Sequence, residues 1–104
     1  VVLDEALCMA ASVRAQEMAG NDYFSHSRPN GDSCFTVLEE FGIERGTAGE
    51  NIALGYRDAA AVSNGWYNSS GHYRNMVNES FQKLGVGVAR NEAGRLYWVQ
   101  LFTD

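Results

Sequence analysis

The order of hydrophobic and polar positions predicts helices along most of the chain. In residues 3–19, small and apolar side chains recur every three to four positions, and charged side chains lie mostly on the opposite face. This period predicts a first helix that Gly20 and Asn21 end. Shorter helices are predicted over residues 34–41, 59–67 and around 72–77.

Two stretches between these helices carry turn-forming residues and no regular period. Residues 20–33 include the sequence Pro29-Asn30-Gly31-Asp32, which is a strong turn signal. Residues 43–56 contain three glycines and neither a helical nor a strand period. We therefore expect an ordered loop over residues 43–56.

The period changes near the C-terminal end. Residues 83–90 alternate Leu and Val with Gly and Ala, and residues 96–102 are rich in aromatic and apolar side chains. Residues 91–94 between them read as a hairpin turn. Because both faces of these strands are apolar or small, we expect a sheet covered on both sides. Gly85 and Gly87 would let a helix approach the sheet closely.

Helices followed by an antiparallel hairpin indicate the α+β class, arranged as a three-layer α-β-α sandwich with a mainly antiparallel sheet. A length of 104 residues suits one hydrophobic core, so we expect a single domain over residues 1–104. Five aromatic residues are expected in the core, namely Trp66, Tyr67, Tyr73, Tyr97 and Trp98.

Charge and hydropathy exclude several classes of partner. The net charge is −5 and the Lys and Arg residues are scattered, which argues against nucleic acid and against an anionic lipid surface as partners. No apolar run is long enough to cross a bilayer, so we expect no transmembrane segment. The chain starts with neither a charged leader nor a cleavage site, and we interpret it as a monomeric domain cut from a longer exported precursor.

The two cysteines, Cys8 and Cys34, have no metal or redox spacing. They are either two buried thiols or one disulfide that joins the first helix to the start of the second. We expect the disulfide, because closing a loop of about 25 residues stabilises a small exported domain by roughly 3 kcal/mol.

Three ionisable residues lie in turn-rich segments and are the candidates for chemistry: His26, Glu50 and His72. Two histidines and a glutamate can form a zinc site with an open position for water. His72 falls in the first turn of its helix, where Ser69 or Ser70 is the expected cap and the helix dipole keeps imidazole neutral.

Structural roles explain the same residues. Each histidine can satisfy backbone groups of its own turn or helix, and Glu50 can accept hydrogen bonds from loop amides. A nucleophilic Ser25 or Ser69 with His72 and Glu50 is conceivable, but no nucleophile motif supports it.

Ordered motifs identify a family resemblance across the chain. They are Ser25-His26-Ser27, Gly49-Glu50-Asn51-Ile52, the segment from Trp66 to Met76 with Ser-Gly-His-Tyr-Arg-Asn at 70–75, and Tyr97-Trp98-Val99-Gln100. The sequence resembles the CAP superfamily of cysteine-rich secretory, antigen 5 and pathogenesis-related proteins, and within it the bacterial SCP-like extracellular domains.

The resemblance implies an α-β-α sandwich with a large cleft, in a protein that is extracellular or at the cell surface. Relatives carry two histidines and two glutamates in the cleft, and several bind zinc or another divalent cation through the histidines. His26, Glu50 and His72 match three of these four positions. Ser69 stands where the second glutamate is expected.

Three functions follow as expectations. The first is a module in which His26, Glu50, His72 and Ser69 line a cleft, with His26 and His72 binding zinc, another divalent cation or a polar ligand. The second is a metal-assisted hydrolase of peptide or cell-wall material with Glu50 as general base. The third is a structural or adhesive surface domain, or a lipid binder. The ligand is expected at the cell surface, as peptide, lipid or cell-wall material.

Overall fold

Four strands and four helices make up the computed structural model, which describes residues 1–104. In chain order they are β1 (Val2–Leu3), α1 (Glu5–Gly20), α2 (Thr36–Glu40), β2 (Ala48–Leu54), α3 (Ala59–Tyr67), α4 (Ser70–Met76), β3 (Lys83–Arg90) and β4 (Leu96–Thr103). The four predicted helices and the C-terminal hairpin are thus confirmed. The α+β class is confirmed with them.

The sheet is mixed, and this corrects the expectation of a mainly antiparallel one. Its strand order is β1-β3-β4-β2. β3 and β2 both pair antiparallel with β4, whereas β1 pairs parallel with β3 through Val2 and Leu3. The sequence pattern hid β1, because Leu3 also fits the period of the helix that follows.

The expectation of a loop over residues 43–56 is wrong. Ala48–Leu54 forms β2 and pairs residue by residue with β4, from Ala48 opposite Thr103 to Leu54 opposite Tyr97. The five central residues of β2 are all buried, and two of them, Glu50 and Asn51, are polar. Because β2 is buried on both faces and includes buried polar residues, its sequence shows no alternation of apolar and polar positions.

α1 packs on one face of the sheet at very short range. A Cβ at Gly85 would fall on the backbone of Leu7 and Cys8, and one at Gly87 would fall on the backbone of Ala11 and Ser12. The predicted close approach at these glycines is confirmed. Between α1, α2 and the sheet lies the main core, whose members include Leu7, Met18, Leu38, Val99 and Leu101.

α3 and α4 cover the other face only next to β2 and β4. The expectation of a sheet covered on both sides is therefore wrong at β3, where Val86 and Val88 are exposed. Trp66 and Val62 of α3 are buried against Ala53 and Trp98. Asp58 begins α3 as predicted, because its Oδ1 accepts a hydrogen bond of 2.8 Å from the Ala61 amide. The placement of all five aromatic residues in the core is wrong for two of them: Tyr67 and Tyr73 are exposed and form an edge-to-face pair.

Both cysteines are free thiols, so the expected disulfide is wrong. The sulfur of Cys8 lies against β3, 3.4 Å from the Val86 amide. Cys34 is buried and its sulfur lies beside His26 and Glu50. The two sulfurs therefore occupy different surroundings. None of the helices combines the length and the apolar character that crossing a membrane requires.

Candidate functional site

A buried ion pair lies at the base of the candidate site. Arg14 of α1 donates from Nε to Glu50 Oε2 at 2.8 Å and from Nη2 to Glu50 Oε1 at 3.1 Å. The Arg14 side chain is fully buried and that of Glu50 is 1% exposed. Burial alone would lower the pKa of Arg14, but the hydrogen bond and charge of Glu50 outweigh it, so this pKa is raised. The two-point geometry fixes the plane of the carboxylate.

Arg14 is not among the residues predicted for the site, because most charged side chains of this helix lie on its polar face. The signal was present, since Arg14 follows Leu7 by seven positions and precedes Met18 by four. It therefore lies on the apolar stripe that faces the sheet. An arginine in such a stripe requires a buried carboxylate partner, and Glu50 is that partner.

His26 is held on the outer side of Glu50. Its Nδ1 lies 2.7 Å from Glu50 Oε1, while the side chain remains 59% exposed. Because an ionised carboxylate only accepts hydrogen bonds, Nδ1 carries the proton and Nε2 is left for other partners. The loop is fixed nearby by a 2.7 Å hydrogen bond from Arg14 Nη2 to the Ser25 carbonyl.

His72 lies in the first turn of α4. Its Nδ1 is 2.8 Å from the hydroxyl of Ser69, the N-cap residue. That hydroxyl makes no capping hydrogen bond to a backbone amide of the helix. Its hydrogen-bond partner is the imidazole of His72. Burial, and after it the charge of His26, lower the pKa of His72. The ring is therefore neutral at neutral pH and keeps a lone pair.

An amide network attaches α4 to the sheet. Asn51 Nδ2 donates to the His72 carbonyl at 3.1 Å and to Gln100 Oε1 at 3.0 Å. Asn75 Nδ2 donates to Asn51 Oδ1 at 2.9 Å. These asparagines and the glutamine belong to the sequence motifs but carried no predicted role. Their hydrogen bonds set the position of His72 relative to β2.

A cleft of about 690 Å³ opens between the loop at Phe24–His26, the edge of β2 and α3–α4. Apolar side chains form much of its wall, including Ile52, Leu54 and Trp66. The polar lining comprises Ser25, His26, Ser69, His72 and Arg95. No carboxylate borders it, since Glu50 lies behind His26.

The predicted site residues thus separate into two layers. His26, His72 and Ser69 line the cleft together. Glu50 contacts His26 from below and does not border the cleft. Ser69, in place of the expected second glutamate, hydrogen-bonds His72. Each histidine is therefore supported at Nδ1 by a different oxygen.

A second arrangement of metal-ligand types lies beneath the cleft. The ligand atoms of His26, Cys34 and Glu50 all lie within 4.8 Å of one another. Burial, and next the charge of Glu50, raise the pKa of Cys34 to about 12, so its thiol is protonated at neutral pH. Both oxygens of Glu50 are also bonded to Arg14. Thiolate is the form that ligates metals, and a neighbouring guanidinium opposes a cation.

Comparisons with known proteins agree with the fold of this chain. A model of the cysteine-rich secretory protein (CAP) family matches residues 1–102. The protein YkwD of Bacillus subtilis (strain 168) is 40% identical over 100 residues, which are 96% of this chain and 38% of YkwD. The chain therefore spans less than half the length of that relative.

Solved structures share the fold. An extracellular protein of Bacillus anthracis containing an SCP domain superposes with a TM-score of 0.90 at 34% identity, over 99% of this chain and 33% of that one. An outer surface protein of Borrelia burgdorferi superposes with a TM-score of 0.89 at 21% identity, over 100% of this chain and 77% of that one.

Proposed function

Because this chain belongs to the cysteine-rich secretory protein (CAP) family, we propose that it is an extracellular or cell-surface binding domain whose cleft takes a divalent cation, zinc foremost, on His26 and His72. The support for its location is that two structural relatives are described as an extracellular protein and an outer surface protein. The same cleft would admit a polar ligand that completes the coordination of the ion.

The observation that carries this proposal is the support of both imidazoles at Nδ1. Glu50 accepts from the Nδ1 of His26, and Ser69 can accept from the Nδ1 of His72. In that tautomer both rings keep an Nε2 lone pair, which is the arrangement typical of metal-binding histidines. The lowered pKa of His72 favours the same neutral ring.

The two histidines on the cleft wall, His26 and His72, fit a zinc ion better than the buried group of His26, Cys34 and Glu50 does. Two neutral imidazoles leave open positions for water or a ligand. A cation on Cys34 and Glu50 would instead need a deprotonated thiol and would lie beside the buried guanidinium of Arg14. A bound divalent ion would supply a Lewis acid that holds a ligand oxygen.

Glu50 acts in this proposal as a positioning residue and not as a general base. Its side chain is 1% exposed, and its oxygens already accept hydrogen bonds from Arg14 and His26. A general base must reach the water it activates. These contacts favour binding over the hydrolase alternative.

Calorimetric titration of the purified chain with zinc chloride tests the proposal. We expect one ion per chain, and a loss of affinity of at least tenfold in His26→Gln and in His72→Gln, since each removes a ligand. Cys34→Ser is the control that removes the nearest other ligand type and should leave affinity unchanged. Zinc binding that persists in both histidine variants would overturn the proposal.

A further inference from the structure

Three arginines border a second depression in this otherwise acidic molecule. Arg57, Arg90 and Arg95 line a cavity of about 440 Å³ between the end of β2 and the β3–β4 hairpin. The whole chain has eight Lys and Arg residues against a net charge of −5. A local concentration of positive charge therefore lies where the overall charge would not suggest one.

These guanidinium groups have no carboxylate partner. The ion pairs of the structure involve Arg14, His26 and Arg28 only. Asp58, next to Arg57, caps α3, and Asp22 accepts from the side chain of Asn91, which is next to Arg90. Glu92 of the hairpin turn is exposed and forms no ion pair. The arginines are therefore free to bind an external anion.

Turn geometry brings the arginines together. Gly55 follows β2 with a φ of +96°, and Gly94 precedes Arg95 with a φ of +86°. The Gly55 amide donates to the Leu96 carbonyl at 2.9 Å. A Cβ on Gly55 would lie 3.7 Å from Arg95 Nη2, so the guanidinium extends over this glycine. Positive φ at both turns favours glycine.

The depression adjoins the histidine cleft. Tyr56 and Arg95 line both cavities. The Tyr56 carbonyl is fixed by a 2.9 Å hydrogen bond from Trp98 Nε1, and its ring packs against Gly65 of α3. A ligand that reaches past Tyr56 can therefore place one group in each cavity.

We propose that Arg57, Arg90 and Arg95 form an oxyanion-binding site at the end of the cleft, which takes a phosphate or carboxylate group of the ligand. Guanidinium groups match such oxygens with paired, charge-assisted hydrogen bonds. The site is separate from the proposed cation site and is tested without metal.

Titration of the metal-free protein with sodium phosphate, followed by ¹⁵N–¹H correlation spectra at low ionic strength, tests this site. We expect saturable shifts of the amides at residues 55–57 and 90–95, with a Kd of about 1 mM or tighter. Each of Arg57→Gln, Arg90→Gln and Arg95→Gln should weaken binding about tenfold, since each removes charge-assisted bonds. A parallel titration with succinate shows whether phosphate or carboxylate is the better group.

Lys83→Gln is the matched control. Lys83 lies on the same strand as Arg90, seven residues or about 23 Å from it. The Lys83→Gln substitution removes one positive charge, as each arginine substitution does. It should bind phosphate like the unaltered protein. Equal weakening by Lys83→Gln, or equal shifts with sodium chloride at matched ionic strength, would reduce the effect to general charge screening and overturn the proposal.

Discussion

Glu50 connects the core to the cleft through a single carboxylate. On one side it neutralises Arg14, and on the other it orients His26. The sequence predicted that Glu50 and His26 belong together, through the family motifs. It did not predict Arg14, because an arginine on an apolar stripe has meaning only once its distant carboxylate partner is known.

Glu50→Gln should destabilise the fold. The substitution leaves the buried charge of Arg14 unpaired, and breaking a buried ion pair on one side costs about 3–5 kcal/mol. Urea denaturation measures the change in the free energy of unfolding. Glu44→Gln, which removes an exposed carboxylate without hydrogen bonds, should change it by less than about 0.5 kcal/mol. Similar values for the two variants would refute a structural role for the pair.

His72 should titrate below its ordinary range in the metal-free protein. Burial and the charge of His26 lower its pKa, so the unfolded chain binds this proton more readily than the folded one. Stability should therefore fall as the pH drops through the ordinary histidine pKa of about 6.5, and level off below the folded pKa. NMR titration of the imidazole Cε1–H signal measures the shift. A pKa at or above the ordinary value would contradict this environment.

Cys34 should resist thiol reagents in the folded protein. Burial raises its pKa to about 12, and the thiolate is the reactive form. A disulfide-exchange reagent at pH 8 should modify Cys34 only as the chain unfolds, and in urea it should titrate two thiols, because no disulfide is present. A Cys8→Ser variant isolates the Cys34 signal. Rapid labelling of that folded variant would contradict the burial.

At the level of elements, the hydrophobic pattern predicted those helices and strands that bury one face and expose the other. The period of α1 and the alternation in β3 predicted both elements, including the glycine contact between them. β2 was not predicted, because its central residues are buried on both faces of the sheet and therefore show no alternation. Glu50 and Asn51 also place polar side chains inside the sheet, where apolar ones are expected. Pairing with β4, a contact between distant parts of the chain, determines that strand.

Gly85→Ala should destabilise the packing of α1 on β3. The added methyl group would overlap backbone atoms of Leu7 and Cys8, which cannot move aside as a flexible side chain can. Overpacking of this kind costs typically about 1–3 kcal/mol. Gly20→Ala is the matched control, because nothing lies within 4 Å of its Cβ position. Thermal denaturation compares the two variants, and equal melting temperatures would contradict the close approach.

At the level of the molecule, the fold places two imidazoles and one arginine around an apolar cleft while the carboxylates stay outside its wall. The ordered motifs predicted the family and the α+β layers. The sequence did not predict free cysteines, because sulfur partners depend on three-dimensional neighbours. Nor did it predict the three arginines of the second depression, which lie far apart along the chain.

Coordination of zinc by both imidazoles is the central claim, and ¹⁵N NMR of the histidine rings tests it most directly. On adding zinc, the Nε2 signals of His26 and His72 should both move to the range of metal-bound nitrogen, while both Nδ1 atoms remain protonated toward Glu50 and Ser69. Unchanged Nε2 signals would contradict the account. So would a change confined to His26, because an ion held by His26 with Cys34 and Glu50 would leave the His72 signals unchanged.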